Sequence, residues 1–299
     1  MVSDSRRPGP GWVTISPSSG VTPGVLYVYA NATWSAFGTY SWSLTISSPG
    51  VRSVKVNVAL NALGPGLAVL SAASGDKRLA RGMIASVYGL SIAKSYATGS
   101  PPLPTVLAGS SVALLDSSGA TRLAPLFFVS PNQINILIPE DVAIGPGMAT
   151  VNSATGPVAV SQVQIDAVAP GLFLEGIDAT APVAALAARY FSDGTSVPVE
   201  VFHCDTTACT TTPIDLTVPG DVYLSLYATG VRHASALSDV SCKIGSTTVP
   251  VQYAGAQGDF PGLDQVNIQL PASLAGTGEQ GVILTVGGIS SKAGQINFK

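Results

Sequence analysis

Charge is what this sequence lacks most. Only 10% of its 299 residues are Asp, Glu, Lys or Arg, against roughly 25% in an ordinary soluble chain. The net charge is −3, and no stripe or cluster of Lys and Arg stands out, so nucleic acid is not an expected partner. Histidine occurs twice, as His203 and His233. A Ser-His-acid triad would have to use one of them, and there is no Gly-x-Ser-x-Gly elbow to present a serine. His233 follows Arg232 and reads as solvated. Ser91-Ile92-Ala93-Lys94 matches Ser-x-x-Lys, but no Lys-Thr-Gly partner follows and the match reads as coincidence. No Asp-x-Asp-x-Asp spacing suggests a calcium loop; Glu140-Asp141 is the one adjacent acidic pair, and the acidic residues read as solvating groups. No run of about 20 apolar residues exists, so no membrane-spanning helix is expected. The first eight residues have no apolar signal-peptide core. Because the rest of the chain is Ser/Thr-rich and poorly charged like an exported protein, an upstream segment is expected to be missing.

Cysteine is also scarce, with three in all. Cys204 and Cys209 flank the polar stretch Asp205-Thr206-Thr207-Ala208. A disulfide there suits an oxidising compartment and is the leading expectation. A zinc site needs two more ligands; His203 and Asp205 are near, but no second Cys-x-x-Cys or His-x-x-x-His completes the set. Free thiols are the third reading. Cys242, between the apolar Val240 and Ile244, reads as a buried, inert thiol. No cofactor and no metal site is expected.

What the sequence does have is turn and strand signal. There are 32 glycines and 22 prolines, and the segments between them are rich in Val, Ile and Thr, which suit a pleated, half-buried surface. Tyr40, Trp42, Leu44 and Ile46 alternate with Thr39, Ser41, Ser43 and Thr45, and Val54, Val56, Val58 and Leu60 repeat the pattern after a Ser-Pro-Gly turn. This period of two predicts strands with the apolar set facing inward. Residues 182–190 read as a strand or a short helix of about two turns. The most informative signal is a repeat. Gln133-Ile134-Asn135-Ile136-Leu137-Ile138-Pro139 recurs as Gln265-Val266-Asn267-Ile268-Gln269-Leu270-Pro271. Two such copies about one domain length apart predict a duplicated folding unit. Their flanks agree: Ser225-Leu226-Tyr227-Ala228 echoes Ser86-Val87-Tyr88-Gly89, and Val249-Pro250-Val251-Gln252-Tyr253 stands where Ala124-Pro125-Leu126-Phe127-Phe128 stood. Gln133, Asn135, Gln265 and Asn267 are therefore read as a structural motif, fixing a bulge or turn at a strand entrance.

Two family resemblances bear on architecture. Trp12-Val13-Thr14-Ile15-Ser16-Pro17-Ser18-Ser19-Gly20, Gly38-Thr39-Tyr40 and residues 54–60 resemble the second half of a BACON-like domain, which implies an immunoglobulin-like sandwich whose opening strands are missing. Residues 129–139, 169–173, 226–232, 253–255, 262–271 and 284–288 resemble the Solibacter-type uncharacterised C-terminal domain family. That resemblance implies tandem immunoglobulin-like units of the plexin and transcription-factor type, at the ends of large exported bacterial proteins, with no agreed activity. The expected fold is all-β, as tandem immunoglobulin-like β-sandwich domains: a partial unit over 1–63, a first unit over 64–170, and a second over 171–299 that carries the cysteine loop.

The function expected from these readings is a non-catalytic extracellular or cell-surface module for spacing, adhesion or self-assembly. Its expected partner is itself, because an incomplete sheet exposes a strand edge, or a cell-surface glycan. A carbohydrate-binding module is the first alternative. Trp34 and Phe37, in the loop over 31–38, are its candidate ligand-binding residues, since exposed aromatic rings stack on sugar faces. A hydrolase using His203 or His233 is the second alternative.

Overall fold

The computed structural model describes residues 13–30, 38–62, 66–178 and 180–299. Among them the regular structure is strand, with two short 3-10 turns, Leu237–Asp239 and Ala272–Leu274, and no α-helix. The all-β expectation holds. None of these residues forms a helix long and apolar enough to cross a membrane.

Two sandwiches carry most of the chain. In the first, one sheet runs in the order Thr121–Leu123, Ser111–Leu115, Gly145–Ser153, Gly156–Asp166 and Arg78–Ala80. The other runs Ala68–Ser71, Ile84–Tyr88, Gln133–Leu137, Leu126–Val129 and Ala97–Thr98. The alternation in the sequence builds the layer between them. Ile134 and Ile136 are fully buried while Gln133 and Asn135 look outward, and Val112, Leu114, Ala149 and Val151 meet them from the opposite sheet. Each Val, Leu or Ile among them contributes about 1.5–3 kcal/mol when taken fully out of water.

The second sandwich repeats this plan. Ser196–Val199, Ala185–Tyr190, Asp221–Thr229, Asp264–Gln269 and Val251–Ala256 form one sheet. Pro213–Ile214, Gly294–Phe298, Gly278–Val286, Val240–Ile244 and Thr247–Val249 form the other. Its core is a separate cluster, with Leu224, Leu226, Val266 and Ile268 facing Cys242, Ile244, Val282 and Leu284. Even the departures from antiparallel pairing recur. Arg78–Ala80 pairs parallel to Gly156–Asp166 in the first copy, and Pro213–Ile214 parallel to Gly294–Phe298 in the second. A bulge lies between Leu126 and Phe128 in one copy and between Val251 and Tyr253 in the other. The duplication seen in the motif is thus a duplication of topology. The open reading of residues 182–190 resolves as strand over Ala185–Tyr190: the segment pairs with Asp221–Thr229 along its whole length, and those backbone bonds outweigh the helix propensity of its alanines.

The N-terminal strands form two separate hairpins, Val13–Ser16 with Tyr27–Ala30 and Gly38–Ser48 with Val51–Ala62. Here the inward-facing expectation needs correction. The alternation is real, but among the described side chains of its strand only Leu44 is buried, Trp42, Val58 and Leu60 are partly covered, and Val54 and Val56 stand 58% and 40% exposed. No second described sheet lies over that end of the hairpin, so the apolar face meets solvent.

Candidate functional site

A set of polar and aromatic contacts lies where the two sandwiches meet. Strand Asp221–Thr229 of the second sandwich ends at the junction, and Thr229 is completely buried there. Its hydroxyl accepts the backbone N–H of Ile84 from the first sandwich at 3.0 Å and donates to the carbonyl of Gly262 at 2.7 Å. Gly262 has φ +77°, and a Cβ at that position would sit 2.7 Å from both Ile84 Cγ1 and Leu137 Cδ1. The backbone conformation favours glycine, and a Cβ would also press on those two side chains of the neighbouring unit.

A polar clamp stands beside this contact. Asp264 is fully buried; it accepts the backbone N–H groups of Val231 and Arg232 at 2.7 and 3.2 Å and Nε of Arg232 at 2.7 Å. Burial pushes its carboxyl above the ordinary range, opposed by the Val231 N–H and by the charge and hydrogen bonds of Arg232. Held this way, the guanidinium reaches out of its own unit. Arg232 Nη1 lies 3.4 Å from Glu140 Oε1, and His233 Nε2 lies 2.8 Å from Glu140 Oε2. Glu140 belongs to the first sandwich, so one carboxylate is gripped by two side chains of the second. Phe127 and Phe260 stack across the same junction at 6.2 Å with planes 2° apart, the geometry in which aromatic pairs add to plain burial. Lys292 closes another point of the seam on Asp76 at 3.3 Å and on the carbonyl of Ser74.

The residues singled out in the sequence fall elsewhere. Gln133 Nε2 donates to Asn135 Oδ1 at 2.8 Å, and Gln265 Nε2 to Asn267 Oδ1 at the same distance. Ser86 also donates to Asn135 at 3.0 Å, and the corresponding Ser225 lies 3.5 Å from Gln265 Nε2. Each Gln–Asn bond runs along one strand on the outer face of its sheet, and the Asn lies opposite the bulge in the neighbouring strand. These bonds run side chain to side chain. Cys204 and Cys209 are disulfide-bonded at the tip of the hairpin Phe202–Cys204 with Cys209–Thr211. The Glu175 carboxylate lies within 4.8 Å of both sulfurs, but a disulfide has already used the thiolates a metal would need. Trp34 and Phe37 lie outside the described residues.

His233 departs from its solvated reading: its side chain is only 30% exposed and bonds Glu140. His203 is largely exposed, 3.6 Å from Glu200. Among the described residues neither imidazole hydrogen-bonds a serine. Thr229, Asp264 and Gly262 were not singled out. The available signal was a difference between the copies: Asp264 stands where the first copy has Asn132, a buried acid beside an otherwise conserved-in-pattern repeat.

No family model matches this chain, and no curated protein is found as a relative. Among solved structures, domains 5-6 of the S-layer protein SbsC align over 79% of this chain and 98% of that one, at 15% identity and a TM-score of 0.24. Similarity at that level supports no structural or functional argument.

Proposed function

We propose that this chain is a non-catalytic extracellular module whose work is mechanical: a stiff pair of immunoglobulin-like sandwiches over 64–170 and 171–299, preceded by a partial BACON-like sheet over 1–63 through which copies associate. The Solibacter-type resemblance belongs to this reading. The junction carries it. A flexible tandem needs only a linker, whereas here a buried threonine, a glycine contact, a doubly held carboxylate and an aromatic stack fix one unit on the other. The exposed disulfide fits an oxidising compartment. The partly uncovered apolar face at Val54 and Val56 fits self-association, because two-stranded sheets with apolar faces are poorly stable alone and open strand edges template pairing.

Light scattering on the purified chain across a concentration series tests the assembly half. The expected result is a mass that rises with concentration and returns to monomer in the Val54→Lys/Val56→Lys double variant. A monomer at every concentration would remove self-association from the proposal.

A further inference from the structure

We propose that the second sandwich carries a binding groove for a neutral glycan chain. It lies on the outer face of the sheet containing Ala185–Tyr190, Asp221–Thr229 and Asp264–Gln269, and has a volume of about 860 Å³, within the range of about 300–1,000 Å³ typical of small-ligand sites. Its lining combines Tyr190, Tyr223, Asp221, Ser225, Gln252 and Asn267.

Three features assign the ligand class. The first is aromatic. Tyr190 and Tyr223 meet edge to face, with centroids 5.4 Å apart and planes at 86°, and Tyr190 is 49% exposed. Two rings held at right angles offer an apolar platform and a wall, which suits the C–H face of a pyranose. The second is polar. Gln265 fixes the Asn267 amide through its 2.8 Å bond to Oδ1, and Ser225 and Gln252 line the groove with it. Neutral amide and hydroxyl groups match sugar hydroxyls, which donate and accept. The third is charge. No Lys or Arg lines the groove and Asp221 does, so an anionic ligand would meet repulsion and no partner.

The groove is also built. Arg189, only 5% exposed, points to the inner side of the sheet and donates to the carbonyls of Val218 at 2.6 Å, Gly220 at 3.4 Å and Asp215. One buried guanidinium thus ties down the 215–220 segment that forms the groove wall. Gly220, at φ +107°, lies so close that a Cβ there would be 2.7 Å from the Tyr190 carbonyl. A wall fixed in advance loses little freedom on binding.

The site is independent of Trp34 and Phe37, and of the junction on which the mechanical proposal rests. The test is isothermal titration calorimetry of the full chain with cellohexaose, xylohexaose, mannohexaose and laminarihexaose, and with oligogalacturonate as the anionic probe. The expected result is binding to at least one neutral hexasaccharide, weakened at least tenfold in Tyr190→Ala and in Asn267→Ala, with unchanged far-ultraviolet circular dichroism. An Arg189→Met variant, if folded, is expected to weaken the same ligand with Tyr190 still in place. Absence of binding to every neutral probe, preference for oligogalacturonate, or binding undiminished in Tyr190→Ala and Asn267→Ala would each overturn the assignment. None of these outcomes alters the mass or stiffness of the chain, so the mechanical proposal is tested separately.

Discussion

Replacing Thr229 with valine isolates the junction with the least disturbance. Valine keeps the shape of threonine, so no cavity opens, and the change removes only the hydroxyl. Two groups then lose their partner: the part-buried Ile84 N–H of the first sandwich and the buried Gly262 carbonyl of the second. A buried donor or acceptor left unsatisfied costs about 1–3 kcal/mol. Since carbonyl groups tolerate under-satisfaction better than N–H groups and the Ile84 N–H is only part-buried, about 2 kcal/mol is expected in total. Urea unfolding followed by circular dichroism gives the stability change, and Thr285→Val serves as control, because Thr285 bonds Ser290 at an exposed site and should change stability by less than about 0.5 kcal/mol. Amide exchange locates the effect: the Ile84 N–H is expected to exchange faster in Thr229→Val while Ile134 and Ile136, deep in the first core, hold their protection. A loss of stability no larger than the control, or unchanged exchange at Ile84, would refute the claim that this hydroxyl couples the two units.

Other consequences concern the cysteines and the acids. Burial pushes the Cys242 thiol up to about 12, so an alkylating reagent should modify no cysteine in the native chain, one in denaturant and three in denaturant after reduction, as counted by mass spectrometry; native labelling would contradict the buried assignment. The Cys204–Cys209 bridge closes a loop of sequence separation 5, for which chain entropy predicts a loss of about 2 kcal/mol in the Cys204→Ser/Cys209→Ser variant; a loss above about 4 kcal/mol in urea unfolding would mean the hairpin supports the core. The Asp116 carboxyl is held well below the usual range, first by the Ser118 hydroxyl at 2.6 Å and then by the Ala143 N–H at 2.9 Å. A depressed carboxyl adds stability that is complete above the ordinary aspartate range, about pH 4, and is lost as pH falls toward its folded value. Melting temperature should therefore drop below about pH 4, and Asp116→Asn should be less stable at pH 7 with a shallower acid dependence; parallel curves for the two proteins would contradict this.

What could be read in the sequence follows from how local each signal is. Strands announce themselves through alternation, and the duplication was legible because Ile134/Ile136 and Val266/Ile268 occupy equivalent core positions with the same outward Gln and Asn. Residues 182–190 were ambiguous because their alanines fit either periodicity, and pairing with a distant strand decided the matter. The inward reading of Val54 and Val56 went astray for a related reason: alternation reports which residues share a face, and only tertiary structure says whether anything covers it. The junction was the least legible part. Thr229, Glu140 and Ile84 are far apart in the chain, each is unremarkable alone, and their chemistry exists only once two sandwiches are set against each other. The groove has the same character, since Tyr190, Tyr223 and Asn267 come from three strands joined by register.

Stiffness of the tandem is tested most directly by a distance distribution. Spin labels on Thr155→Cys and Thr248→Cys, exposed positions on the first and second sandwich, can be attached selectively because the one native free thiol is buried. Pulsed electron paramagnetic resonance should give a single narrow distance in the otherwise native chain, broadened when Thr229→Val is added. A broad distribution in the native chain would contradict the account, showing two sandwiches joined by a hinge.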